Sequence, residues 1–219
     1  MPSLFAQSEL FDLIEKVEKG ERLDRDAGVR LINSQDILAL GYMANIVRER
    51  KNANQTYFIV NRHFNYTNVH AATMFYGNMK SMEERIDHLL QLRARQDQTG
   101  EFLSFIPLFS PPKDTLVEGT MGVGTTTGIE DLKMLAISRI LLDNFDHIKA
   151  FWIMLGLKLT QVSLAFGVDY LEGNVVEERI SHSEVVETSQ VLTKRAMIHM
   201  IQKAGRDAVE RDWLGGSTC

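Results

Sequence analysis

The chain is poor in most features that mark a specialised composition. Its 219 residues include one cysteine, Cys219, and four prolines. A single cysteine excludes an internal disulfide, a cysteine-rich zinc site and a three-cysteine iron–sulfur site within this chain. No charge sign dominates: 24 Lys and Arg stand against 29 Asp and Glu, a net charge of -5. No basic run of about five to eight residues occurs either, so nucleic acid is not an expected partner. The longest apolar stretch, Ala150 to Leu157, falls far below the roughly 18 residues that a membrane helix needs. A membrane is not expected. The opening MPSLFAQSELFDLIEK has no basic n-region and soon turns acidic, unlike a signal peptide, so the reading is a cytoplasmic protein. With 44% hydrophobic residues and 15 glycines, the chain has an ordinary globular profile and enough length to bury a core.

The first fifty residues read as helices. Ser8 is placed to cap a segment with Leu10, Leu13, Ile14 and Val17 on one face, stopping at Gly20. A short helix is expected over Asp24 to Leu31, and Ser34 is expected to start a longer one carrying Ile37, Leu40, Ala44 and Val47. Thr56 to Val60 and Phe64 to Val69 are rich in β-branched and aromatic residues and read as strands. From Ala71 onward, short apolar runs alternate with amphipathic helices. Expected strands are Ala72 to Tyr76, Phe102 to Phe109 and His147 to Leu155, the last apolar on both faces. Expected helices are Met82 to Gln96, Ile129 to Asn144 with a Thr127/Glu130 capping box, Leu159 to Phe166, and Thr193 to Ala204. Strand alternating with helix predicts an α/β fold with parallel strands. Residues 1–55 form a helical preamble, and 56–167 with the extension 168–219 form the β/α part of a single domain.

The run Asn61-Arg62-His63-Phe64-Asn65-Tyr66-Thr67-Asn68-Val69 resembles the first barrel strand of the radical S-adenosylmethionine enzymes of the futalosine route to menaquinone. In that family the next residue opens a Cys-x3-Cys-x2-Cys motif that holds a [4Fe-4S] cluster; here it is His70, and Met74 and Gly77 at the same spacing are not read as substituted cysteines, because the stretch that begins here resembles a later part of the family. The segments HAATMFYGNMKSMEERIDHLLQLRARQDQTGEFLSFIPLFSPP and GIEDLKMLAISRILLDNFDHIKAFWIMLGLKLTQVSLAFGVDYLEGNVVEERISH resemble a later part of the same barrel. The resemblance thus covers 7–69 and 71–214, joined between Val69 and Ala71. Ile148 to Met154 and Asp169 to Glu178 are similar to the aminofutalosine synthases in particular. The resemblance implies a TIM-type barrel and, in the complete transferases, a [4Fe-4S] cluster, S-adenosylmethionine and an enolpyruvyl-oxybenzoate substrate. A full barrel takes about 250 residues and each β/α unit about 30. A chain of 219 residues with a preamble is therefore expected to be a partial barrel, truncated internally. No cofactor is expected on this chain.

Barrel enzymes keep their sites at the C-terminal strand ends. The candidates for that mouth are His63, Asn65, Asn68 and His70 on or after the first strand, and Tyr76, Ser110, Trp152, Met154 and Lys158 near later strand ends. Imidazoles with Glu177, Glu178 or His182 would suit zinc or iron, but their spacing matches no short motif, so no metal is assigned. The loop ending at Gly122, Gly124, Thr127 and Gly128 opens a helix and is a candidate anion loop, though it lacks the Lys-Ser/Thr of a P-loop. Asp143, Asp146 and His147 are expected to cap and turn the chain, not to bind a ligand. Three functions follow as expectations. The first is a family member that lacks the cluster and is inactive as a radical enzyme. The second is a half barrel that pairs with itself or with a full-length family enzyme through its open edges. The third is an iron-free enzyme, or a metal-binding protein, using His63, Asn65, His70 and Tyr76.

Overall fold

The computed structural model describes residues 4–60, 70–79, 81–109, 126–177 and 191–211. Three helices lead the chain: α1 Phe11–Lys19, α2 Arg25–Asn33 and α3 Ile37–Asn52. Helix α1 stops at Gly20, whose left-handed backbone lets its N–H reach the carbonyls of Lys16 and Val17. Asp24 caps α2, and Asp36 caps α3 by accepting from the Ala39 N–H. The serines expected as caps have another job. Ser8 Oγ donates to Asp36 at 2.5 Å and Ser34 Oγ donates to Glu9 at 2.5 Å, so both tie α1 to the start of α3. A carboxylate accepts two hydrogen bonds at once, which lets Asp36 cap the helix and still hold Ser8.

Among the described residues, six parallel strands make one sheet: β1 Gln55–Ile59, β2 Ala71–Phe75, β3 Ser104–Leu108, β4 His147–Phe151, β5 Tyr170–Glu172 and β8 Asp207–Arg211. Their order across the sheet is β2-β3-β4-β5-β1-β8. The two-residue strands β6 Val175–Val176 and β7 Leu192–Thr193 pair separately. Helices α4 Met82–Thr99, α5 Gly128–Leu141, α6 Trp152–Leu155, α7 Leu157–Ser163 and α8 Lys194–Lys203 lie between them. This is an α/β architecture, a partial TIM-type barrel with the helical preamble and C-terminal helix expected. The Thr127/Glu130 capping box opens α5 as the sequence indicates. The strand expected at Phe64 to Val69 lies outside the described residues.

One expectation is corrected. The strand from His147 ends at Phe151, and 152–155 turn into α6. The turn tucks the Trp152 ring beneath Gly173, where an added Cβ would collide with the indole nitrogen. After α8 the chain adds another strand, β8, which pairs with the far side of β1 in register Tyr57↔Val209 and Ile59↔Arg211. Helix-facing side chains of the strands, including Phe58, Ala72, Met74, Phe105, Ile148 and Leu171, merge with Leu13, Leu31 and Leu40 of the preamble and Ile86 and Leu141 of α4 and α5 into one apolar core.

Candidate functional site

Alternation along a strand sends successive side chains to opposite faces. While Phe58, Ile148, Ala150 and Leu171 enter the helix-packed core, Tyr57, His147, Lys149, Tyr170 and Glu172 point to the other face, the inside of the barrel arc. Among the described residues no helix packs its apolar face there, yet Tyr57, His147, Lys149 and Tyr170 are all buried. They pack against one another. The His147 ring meets Tyr57 and Tyr170 edge-on at 5.0 and 5.6 Å, and Lys149 Nζ sits 4.7 Å from the centre of the Tyr170 ring. Arg211, from the last strand, lays its guanidinium 3.9 Å above Tyr57 and reaches His147 Nε2 at 2.8 Å. Strands β8 and β4 are separated by β1 and β5, about 14 Å in a flat sheet. The contact exists because the sheet curls.

Behind this face runs a buried ionic chain. Arg139 of α5 and Asp169, just before β5, are both fully buried and form an ion pair. Arg139 also donates to the carbonyl of Gly167 at 2.9 Å and to that of Phe145 at 3.2 Å. Desolvation pushes the Arg139 pKa down, and the Asp169 carboxylate opposes that shift. Asp169 additionally accepts the Ile148 N–H at 2.8 Å and faces His147 Nδ1 at 2.5 Å. A guanidinium has only donors, so His147 Nε2 must accept from Arg211. His147 is therefore neutral, with its proton on Nδ1 donated to Asp169. Lys149 pairs with Glu172 at 2.9 Å.

Glu172 reaches the C-terminal strand ends, where Ile59, Phe151, Tyr170, Gly173 and Asn174 surround a cleft of about 150 Å³. Small-molecule sites usually run to about 300 Å³ or more, so this cleft alone is smaller than such a site. Trp152 is buried beside it, and its indole N–H meets no acceptor among the described residues.

The sequence-derived candidates scatter. His63, Asn65, Asn68, Ser110, Gly122, Gly124, Glu178 and His182 lie outside the described residues. His70 is exposed in the turn before β2, at the N-terminal strand end and not the mouth, because the strand starts only at Ala71. Tyr76 follows β2 at the mouth side, but its hydroxyl donates to Asp131 of α5 at 2.5 Å, and burial with that carboxylate pushes its pKa well above the usual phenol range. It ties a strand to a helix. Met154 and Lys158 are exposed on α6 and α7. Glu177 pairs with Lys194 at 3.6 Å. Thr127 shares its backbone and side-chain bonds with Glu130, and Gly128 faces Leu159, so the start of α5 is filled by its own carboxylate.

Asp143, Asp146 and His147 do not converge. Asp143 pairs with Arg22 at 2.8 Å, Asp146 lies 3.7 Å from Lys51, and His147 turns inward. The sequence pattern hides Tyr57, Lys149, Tyr170, Glu172 and Arg211, because the run that forms β4 reads as apolar on both faces. A signal is present in it: His147 and Lys149 stand two apart, on one side of the strand.

Iron–sulfur clusters need thiolate or imidazole ligands held together. The chain's only cysteine is Cys219, and among the described residues no three His, Cys, Asp or Glu side chains gather in a metal-binding group. The residues present do not fit such a cluster. Among the described residues no helix is long and apolar enough to cross a membrane.

Similarity to solved structures supports the barrel class. The fold aligns with HydG, a maturase of the [FeFe]-hydrogenase, at a TM-score of 0.64 and 7% identity, covering 90% of this chain and 74% of that one. It also aligns with methylornithine synthase (PylB) at 0.57 and 11% identity, covering 92% and 98%. Within that class the chain belongs to the CofH/MqnC family: residues 99–213, just over half of the chain, match the family's C-terminal region. It is 49% identical over 144 residues to the aminodeoxyfutalosine synthase of Thermus thermophilus, covering 65% of this chain and 39% of that one. It is 42% identical over 147 residues to a 5-amino-6-(D-ribitylamino)uracil--L-tyrosine 4-hydroxyphenyl transferase of Methanosarcina acetivorans, again covering 65% and 39%. The chain thus spans about two fifths of the length of the relatives it matches.

Proposed function

We propose that this chain is a cluster-free relative of aminodeoxyfutalosine synthase that retains part of the barrel wall and does not carry out radical chemistry by itself. The observation that carries this reading is the missing ligand set. The Cys-x3-Cys-x2-Cys motif of the family is absent, and the only thiol is at Cys219. The likeness to the Thermus enzyme supports a substrate-side wall for aromatic ligands, with Phe151, Tyr170 and Glu172 in the cleft. Anaerobic treatment with iron and sulfide tests it. The expected result is no charge-transfer absorbance and no cleavage of S-adenosylmethionine; a stoichiometric cluster that cleaves it would overturn the reading.

A second reading, pairing with another copy or with a full-length relative, draws on the sheet edges. Among the described residues β2 and β8 each have one neighbour. Strand β8 carries Asp207, Glu210 and Arg211, charges that blunt an edge, whereas β2 is Ala-Ala-Thr-Met-Phe, with Phe75 49% exposed. Light scattering on a size-exclusion column, alone and with the full-length enzyme, separates the readings. A defined dimer or a complex supports pairing, and a stable monomer in both runs rejects it.

A further inference from the structure

Strand β8 is anchored at three places, and one of them depends on an uncharged ring nitrogen. At its start, Arg206 donates to Asn45 Oδ1 at 2.6 Å and to the Leu164 carbonyl at 3.1 Å. On the outer face, Glu210 pairs with Lys194 of α8 at 2.7 Å. At its end, Arg211 donates to His147 Nε2 at 2.8 Å. That last bond requires the neutral imidazole. A proton on Nε2 would remove the acceptor and set two cations face to face.

We propose that the Arg211–His147 contact is a proton-sensitive latch that holds the end of β8 against the barrel interior and releases it on acidification. The groups around His147 make protonation and the closed latch incompatible. From β5 and the residue before it, Tyr170 and Asp169 face the ring; from β1, Tyr57; from β8, Arg211; and from β3, Ser104 is the cross-strand neighbour. Lys149 on the same strand is matched by Glu172. Asp169 is the carboxylate in contact with the ring, and it is shared with Arg139 of α5, while Arg48 of α3 also senses its charge. A second positive charge next to Arg211 therefore meets a counter-ion that is already committed. The sign follows. The neutral imidazole favours the closed form, so acidification opens the latch. Release uncovers the Tyr57 ring and turns the protonated His147 Nε2, still backed by Asp169 at Nδ1, toward the inner face.

Amide hydrogen exchange on the whole chain, corrected for the intrinsic pH dependence of exchange, tests the latch. Between about pH 8 and pH 5, the window in which imidazoles titrate, protection of residues 209–211 is expected to fall about tenfold, as befits the loss of one charge-assisted hydrogen bond. Protection of β4 and β5 is expected to hold. His147→Gln keeps an acceptor but not the titration, so its 209–211 protection should stay flat with pH. Arg211→Met leaves Asp169 and Arg139 untouched and should give low protection at both ends, which decides the matter if the His147 variant does not fold. The latch is rejected by constant protection in the parent chain, by an equal pH step in His147→Gln, by unchanged protection in Arg211→Met, or by loss across all strands together.

Discussion

The two faces of the same strands are built on opposite principles. Toward the helices, Phe58, Phe105, Ile148 and Leu171 are apolar, and their contacts are non-directional. Toward the barrel interior, Tyr57, His147, Lys149 and Tyr170 are equally buried, but His147 and Lys149 are held by polar partners at fixed distances and the two tyrosine rings pack on them. Those partners come from 22, 30 and 64 residues away for the His147–Asp169, Arg139–Asp169 and Arg211–His147 contacts. The apolar face absorbs small changes by shifting. The polar face has no such slack, because a buried donor or charge that loses its partner bears the whole desolvation penalty.

The largest break should come at Asp169. Asp169→Asn leaves the Arg139 charge buried without a counter-ion, and urea unfolding should show a loss of about 3 to 5 kcal/mol. Arg139→Met combined with Asp169→Leu should recover much of that, since apolar groups of similar size need no partner. A recovery of none would mean that the loss lies in the His147 and Ile148 contacts instead. Next is Gly173→Ala, at a backbone φ of 143° and against the Trp152 ring. Strain and overpacking together should cost about 2 to 4 kcal/mol in the same assay. On the helix side, Ile148→Val should cost only about 1 kcal/mol, the usual value for one buried methylene. If it cost as much as Asp169→Asn, the contrast between the faces would fail.

The smallest effect concerns the surface tie of Asp97. Hydrogen bonds from Arg22 and Asn144 hold its pKa down at about 2, so the tie is whole above about pH 4 and fades as pH falls from there toward 2. Thermal melts of Asp97→Asn should lack that part of the acid sensitivity.

Much of the fold is legible in the sequence because it is local. The Thr127/Glu130 box, the stop at Gly20 and the periodic faces of α4 and α5 need only neighbours in sequence. Strand β5 escapes such a reading because it has three residues and is defined by lying between β4 and β1. Strand β8 escapes it because its charges disguise the alternation of an edge strand. The site is less legible still. Trp152, a strand-end candidate by its place in the sequence, lies in α6 beside the cleft, while the buried polar face leaves almost no local mark. Nothing near Arg211 in sequence announces that it meets His147.

By itself the sequence determined the alternation of strand and helix, the likeness to one enzyme family and the lack of the thiolates that family uses. These depend on residue identity and on spacing of a few positions, which a linear chain carries in full. Tertiary structure alone decided that β8 joins β1, that Asp169 is shared between Arg139 and His147, and that His147 is neutral. Each of those depends on which distant groups the curled sheet brings within hydrogen-bond reach, and a proton goes wherever the assembled partners leave an acceptor.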